Sequence, residues 1–259
     1  MSALAAKCRT QLFYPKKLPN IRDSMTAIKA VIFDFGDTLV SYPLNTWERQ
    51  IDYIKNFIKS HWELRPHLPQ LLHSIEKLAD ELNVENEDNS TYSFLERIKE
   101  DRLFGRLLSD QDSLELEKEI LKGVTKEAFV YPDVQEGISL LRNDNKKVGI
   151  MSNLPWGTSP DIWRAEFSRH GFTQGDTVDS IVCCMDVGYR KPHPQGILEN
   201  LSVLNVKPEE ALFVGDNPKA DFGAAMSAGV RPIIIDRGHY DLPAHLDKIK
   251  TIPEIVKYL

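Results

Sequence analysis

The chain has 259 residues, 42% of them hydrophobic and 27% charged, a globular composition with room for one medium domain or one domain carrying a smaller insert. A formal charge of −6 gives no reason to expect nucleic acid or an anionic membrane as partner, and no apolar run reaches the roughly 18 residues that a membrane span needs. An anionic ligand has to be attracted locally, by a lysine, a metal ion or backbone amides.

In chain order, residues 1–22 hold five basic residues, Lys7, Arg9, Lys16, Lys17 and Arg22, and no acidic one. They lack the serine richness and clear amphipathic face of a transit segment. Residues 1–24 are therefore expected to be a flexible extension, with Met25 as the alternative start. The first strand is expected at 28–34, IKAVIFD, an apolar run that stops on Asp34; Gly36, Asp37 and Thr38 follow directly. Residues 44–130 contain no convincing strand. Four amphipathic stretches, 46–62, 68–83, 92–108 and 113–129, predict helices there, with the polar ENEDNS of 85–90 between the second and third.

Short apolar runs then return at 147–152 (KVGIMS), 179–184 (DSIVCC), 211–216 (ALFVGD) and 231–236 (RPIIID), with helical patterns at 161–172 and 194–204. Strands alternating with helices imply an α/β fold, a Rossmann-like parallel sheet covered on both faces. The expected organisation is a core of 25–43 and 131–259, interrupted by an all-helical cap at 44–130. Cys8, Cys183 and Cys184 are too few, and odd in number, for a disulfide framework. Adjacent Cys183 and Cys184 read as buried thiols rather than metal ligands, and the expected compartment is reducing, the cytoplasm.

Ligands of an open parallel sheet bind beyond the carboxyl ends of its strands. Asp34 to Thr38, Ser152 with Asn153, and Asp216 with Asn217 are expected at that edge. The insert leaves the sheet there too, placed to act as a lid. With Lys191 in GYRKPHP and Asp221 in VGDNPKAD, the set supplies what phosphoryl transfer through an aspartyl intermediate requires. Asp34 offers a nucleophile and Lys191 a charge to offset phosphoryl oxygens. Ser152 and turn amides offer hydrogen bonds. Asp34 and Asp216 offer oxygen ligands of the kind Mg²⁺ accepts beside water and phosphate.

Each residue has a plainer reading. Asp34 and Ser152 can cap turns, Asp221 can be the N-cap of the helix FGAAMSAG, Asp37 can be a solvated turn residue, and Lys191 can be a surface lysine. Trp156, Thr158 and Trp163 border the pocket or pack in the core. His193 and His239 lie near motif turns, with surface placement as the default. Arg190 either widens an anion site or forms a surface ion pair. In the cap, Trp47, Arg49, Tyr53 and Arg97 are candidate specificity residues, against helix packing or exposure.

Taken together and in order, these segments resemble the four motifs of the haloacid dehalogenase-like hydrolase superfamily, over residues 28 to about 238. The resemblance implies sheet order 5-4-1-2-3 and a type-one helical cap. It implies Asp34 as nucleophile and Mg²⁺ ligand, Gly36 as a ligand through its carbonyl, and Thr38 as support for the loop. Ser152 and Asn153 would bind the phosphoryl group, Lys191 would bridge it to Asp34, and Asp216 and Asp221 would serve the metal. Phosphatases of that family usually carry a second Asp two residues after the nucleophile, a proton donor, where this chain has Gly36. Such help is typically worth about 10²- to 10⁴-fold. Asp37 can replace it; a substrate group, a cap residue or water can; or turnover is slow and the protein mainly binds. Dehalogenases of the superfamily lack that Asp too, but they need no metal, usually lack an aspartate at the place of Asp216, and carry an aromatic where Gly36 stands. The expected function is a Mg²⁺-dependent phosphatase of a small phosphorylated metabolite. A metal-independent dehalogenase and a weakly catalytic binding or regulatory protein are the alternatives.

Overall fold

The structure, a computed structural model, describes residues 27–43, 45–83 and 89–259. The expected extension at 1–24, Cys8 and most of the polar break at 85–90 lie outside these residues. Strand β1, Ala30–Phe33, is buried along its whole length. That explains why its sequence is a continuous apolar run rather than an alternating one. After β2, Val40–Ser41, the chain passes through helices α1 (Thr46–Ser60), α2 (Leu68–Asn83), α3 (Phe94–Glu100), α4 (Phe104–Leu107) and α5 (Asp110–Thr125). It returns through β3, Phe129–Val130, antiparallel to β2. Then follow α6 (Val134–Asn143), β4 (Lys147–Ser152), α7 (Pro160–Arg169), β5 (Ser180–Cys183), α8 (Cys184–Val187) and α9 (Gln195–Leu204). The last elements are β6 (Ala211–Gly215), α10 (Ala220–Ser227), β7 (Arg231–Ile235) and β8 (Lys248–Ile249).

The six-stranded sheet has the order β5-β4-β1-β6-β7-β8 and is parallel throughout. Its first five strands, counted from β1, follow the expected order 5-4-1-2-3, and β8 adds an edge. β1 lies at the centre, with Phe33 opposite Ile150 on one side and Val214 on the other. This register brings Asp34, Ser152 and Asp216 out at one edge of the sheet. Among the described residues, no helix is long and apolar enough to cross a membrane.

Four local expectations need correction. The single helix expected at 92–108 is two, because Asp101 Oδ1 accepts from the backbone N–H of Leu103 and of Phe104, both at 2.9 Å, and turns the chain. The helix expected at 113–129 begins at Asp110, set by a reciprocal capping box between Ser109 and Asp112, and ends at Thr125, so that Phe129 and Val130 can pair with β2. The β2–β3 pair and β8 were not foreseen, since a two-residue strand is too short to show a period. Asp221 is not an N-cap: it lies within α10, and Asn217 Oδ1 accepts from Lys219 N and Ala220 N instead.

The buried apolar residues form one large cluster around the sheet and a second among α1–α5. Trp156, from the loop after β4, belongs to the second cluster. Its backbone has φ +60°, its N–H donates to Asn83 Oδ1 at 2.8 Å, and its indole donates to Gln50 Oε1 at 2.7 Å. Gly157 follows at φ +57°, where a Cβ would lie 1.7 Å from the Tyr92 carbonyl oxygen, so only glycine fits. Within the second cluster α1 and α5 touch at Gly123, where a Cβ would meet Gln50 Cα at 2.6 Å. Gly123→Val is expected to force these helices apart and to cost about 1–3 kcal/mol of stability, read as a lower urea midpoint. An unchanged midpoint would show that the contact is dispensable.

Candidate active site

The site is organised around one buried ammonium group. Lys191 Nζ donates to Asp34 Oδ1 at 2.5 Å, to Asp221 Oδ1 at 2.7 Å and to the Met151 carbonyl at 3.2 Å. Three acceptors saturate its three protons. Burial alone disfavours a charged lysine, but Asp221 and Asp34 outweigh it and hold Lys191 above its ordinary value. The surface-lysine reading is therefore excluded. The backbone of Lys191 is fixed as well: its N–H donates to Asn153 Oδ1 at 2.9 Å, and Asn153 Nδ2 donates back to its carbonyl at 3.1 Å.

Asp34, Asp216 and Asp221 are all buried, and their carboxylate oxygens lie within 4.8 Å of one another. Burial pushes Asp216 up to about 6, with Asp34 and Asp37 adding to the rise and His239 opposing it. Burial pushes Asp221 up to about 7 although Lys191 donates to it. One ammonium does not balance three carboxylates in a desolvated space. A hard divalent cation with oxygen preference suits this donor set, and Mg²⁺ is such an ion. Asp216 is further tied to the loop after β1: its N–H donates to Thr38 Oγ1 at 3.1 Å.

A cavity of about 350 Å³ opens over these groups. Ser152, Asn153, Asp37 and Gly36 line it together with Asp34, Lys191, Asp216 and Asp221. Asp37 is held at φ +55°, and its Oδ1 accepts from Tyr42 N at 3.3 Å. Burial raises its pKa, against the pull of the Tyr42 N–H and of His239. Asp37 is thus not a freely solvated turn residue. The Tyr42 ring fills the space beside Gly36: a Cβ there would lie 3.2 Å from Tyr42 Cε2.

Other expectations fare differently. Trp163 lines the cavity, whereas Trp156 and Thr158 do not; Trp163 Nε1 donates to Thr158 Oγ1 at 2.7 Å. His239 reaches Asp216, with Nδ1 3.4 Å from Oδ2. His193 accepts from Gln195 N at 3.2 Å and stacks on Tyr189 outside the cavity. Arg190 neither widens an anion site nor forms a surface ion pair; it donates to the Leu82 carbonyl at the end of α2 at 2.8 Å. None of Trp47, Arg49, Tyr53 and Arg97 lines the cavity. Trp47 stacks on Trp156, Arg49 pairs with Glu127, Tyr53 lies under Lys126, and Arg97 pairs with Glu81 and Glu100. The helical segment contributes Thr46, Gln50 and Val124 instead. Cys183 and Cys184 are buried and free.

Three further residues escaped the sequence reading. Arg237 donates to the Thr38 carbonyl at 2.9 Å and to Asp133 Oδ1 at 3.0 Å, and lies 3.9 Å over the Tyr131 ring. Its place directly after the run RPIIID was the available signal. Tyr42 and Gln50 carried none, because their roles come from tertiary placement.

A family model described as "Hydrolase: haloacid dehalogenase-like hydrolase" matches residues 28–229. The chain belongs to that family and is a hydrolase. It is 28% identical over 247 residues to a glyceraldehyde 3-phosphate phosphatase of Methanopyrus kandleri, covering 90% of this chain and 98% of that one. It is 30% identical over 139 residues to a phosphoserine phosphatase of Thermus thermophilus, covering 53% of this chain and 55% of that one, little more than half of that relative's length. The solved structure of a 2-haloacid dehalogenase from Pseudomonas syringae pv. Tomato superposes with a TM-score of 0.62 at 21% identity, covering 89% of this chain and 97% of that one. That last likeness shows the fold alone.

The three carboxylates generate a prediction that needs no substrate. Asp216 and Asp221 hold protons to about pH 6 and 7 in the fold, against an ordinary value of 3.8. Between about pH 4 and 7 the folded chain binds more protons than the unfolded one, so their contribution to metal-free stability falls as pH rises. A Mg²⁺ ion held by these carboxylates would compete with those protons. Its stabilisation, about 2.7 kcal/mol at a hundred times its dissociation constant, should be large at pH 8 and small at pH 5. It should also vanish in Asp216→Asn. Melting curves in chelator and in Mg²⁺ check this; a shift that is equal at both pH values, or that survives the substitution, sinks it.

Proposed function

We propose that the chain is a Mg²⁺-dependent phosphatase that hydrolyses a small phosphorylated metabolite through an aspartyl-phosphate on Asp34. The observation that carries this reading is Asp34 itself, bound to Lys191 at 2.5 Å and within 4.8 Å of two further buried carboxylates at the floor of a cavity. The phosphatase names of the two relatives support it. The dehalogenase reading has a shared fold behind it but gives no use to Asp216 and Asp221, which add only uncompensated charge to a site that attacks carbon. A protein that only bound phosphate esters would have little need of a carboxylate beside the anion. Buried, free Cys183 and Cys184 fit a reducing compartment such as the cytoplasm.

Asp34, Asp216 and Asp221, with the Gly36 carbonyl as a further candidate, would hold Mg²⁺, which supplies positive charge to the phosphoryl oxygens. Asp34 attacks phosphorus and the bond from phosphorus to the leaving oxygen breaks. Lys191, kept charged by its two carboxylate partners, offsets the charge on the transferred group, and Ser152 and Asn153 at the end of β4 position it. Thr38 keeps the nucleophile loop against Asp216. Asp37 gives its proton to the leaving oxygen; its burial and raised pKa support that assignment. Water then attacks the aspartyl-phosphate, Asp37 takes the water's proton, and free phosphate leaves with Asp34 restored.

With p-nitrophenyl phosphate, turnover should require Mg²⁺ and be lost in Asp34→Asn; retention of wild-type turnover in Asp34→Asn, in a preparation free of other phosphatases, would falsify the reading. Asp37→Asn separates the proton from the nucleophile. It should slow an alkyl phosphate by about 10²- to 10⁴-fold and slow p-nitrophenyl phosphate, whose leaving group needs little protonation, far less. In the wild type the alkyl rate should fall as pH rises through the raised Asp37 value, since the acid acts only while protonated. Equal effects of Asp37→Asn on both substrates would remove Asp37 from the acid role.

A further inference from the structure

The helical segment meets the rest of the chain a second time, away from β2 and β3. Ser90 and Tyr189 face each other as an antiparallel pair. On either side of them Thr91 N donates to the Gly188 carbonyl at 3.0 Å, and Arg190 N donates to the Asn89 carbonyl at 2.8 Å. The Arg190 side chain turns to the same seam: its Nη1 donates to the Leu82 carbonyl at 2.8 Å and lies 3.5 Å from the Leu154 carbonyl. Leu82 is the last residue but one of α2. Carbonyls there have no partner within the helix, and a positive charge is favoured.

These bonds close a ring that contains the organising lysine. The end of α2 holds Arg190 through the Leu82 carbonyl, and it holds the loop after β4 through Asn83, whose Oδ1 accepts from Trp156 N at 2.8 Å. The two arms then meet. Lys191, next to Arg190, donates its N–H to Asn153 Oδ1 at 2.9 Å and accepts from Asn153 Nδ2 at 3.1 Å. From this ring Lys191 Nζ reaches Asp34 and Asp221. Arg190 is thus held by the helical segment at its backbone and at its side chain, one peptide bond from Lys191.

We infer that Arg190 is a positioning residue for the reaction: anchored on the C-terminal end of α2, it fixes the backbone of Lys191 and so the place of the ammonium beside Asp34. Lifting the helical segment on this side would release that anchor, so here the segment acts as a support rather than a lid. Both side-chain contacts of Arg190 are made by one nitrogen, so a lysine can take its place. Methionine keeps the apolar stem and loses the donor.

The turnover arm of the test rests on the phosphatase reading, and the exchange arm does not. With p-nitrophenyl phosphate and Mg²⁺, Arg190→Met should lower kcat by about tenfold to a hundredfold, with KM changed less than about threefold. A displaced ammonium costs most where charge develops in the transition state. In the same variant the Lys191 amide should exchange its hydrogen about tenfold faster or more, while the β1 amides keep their rates. Arg190→Lys should restore both. An unchanged kcat, an unchanged Lys191 exchange rate or no recovery in Arg190→Lys overturns the inference. So does exchange that quickens equally in β1, the mark of a general loss of stability. If the wild type turns over no phosphate ester, the phosphatase reading falls, and the Lys191 exchange rate alone decides whether Arg190 fixes the lysine. Should Arg190→Met not fold, Arg190→Gln takes its place with the same outcomes.

Discussion

Everything in the site depends on a single ammonium group shared by carboxylates from different parts of the chain. Lys191 joins Asp34, at the end of β1, to Asp221, in α10, and to the last turn of β4 through the Met151 carbonyl. A buried charge of this kind is tolerated only when every partner is in place, because a missing partner leaves an uncompensated ion in a dry interior. The surrounding bonds serve that condition. Asn153 holds the Lys191 backbone in both directions. The Asp216 N–H bonds to Thr38, and Arg237 bonds to the Thr38 carbonyl from the other side. Four separate loops are thereby fixed around one point, which is the preorganisation that stabilising a phosphoryl group requires.

The loop after β4 has a second task. Ser152, the last residue of β4, and Asn153, the first of the loop, line the cavity, and three residues after Asn153 Trp156 is buried among helices α1–α5. Gln50 connects the two, since it accepts from the Trp156 indole and lines the cavity. Packing in the helical cluster and the shape of the cavity therefore share a residue. A change at the α1–α5 contact therefore reaches the cavity lining as well as the packing, through Gln50, whose Cα abuts Gly123.

How far the sequence could be read follows from the physics of each element. The five longer strands stand out because burial on both faces makes each a run of apolar residues, and their order follows from the family resemblance. β2, β3 and β8 have two residues each, too few for any pattern. The convergence of Asp34 and Asp216 was readable because each directly follows a buried strand, whereas Lys191, beyond α8, and Asp221, within α10, were readable through the motif pattern of the family. The residues facing the cavity from the helices were not. Trp47, Arg49, Tyr53 and Arg97 are conspicuous by type, but aromatic rings and guanidinium groups on amphipathic helices find helix partners, and they do so here. Gln50 is unremarkable by type and matters by position, through the approach of α5 at Gly123.

Gly36 and Tyr42 are best understood as one feature. Asp37 accepts from the Tyr42 N–H, which sets Tyr42 beside Gly36, and the ring then occupies the space that a side chain at 36 would enter. A carboxylate at 36 would require the ring to move, and it would add a fifth acidic group to a cavity that holds one ammonium. Its absence lowers the negative charge over the reacting centre and leaves room for the Tyr42 ring. For the proton that position 36 does not supply, Asp37, one residue on, is the candidate source proposed above, and its own burial favours the protonated form. The same contact that positions Tyr42 is the bond that Asp37 accepts, so the two side chains are oriented together.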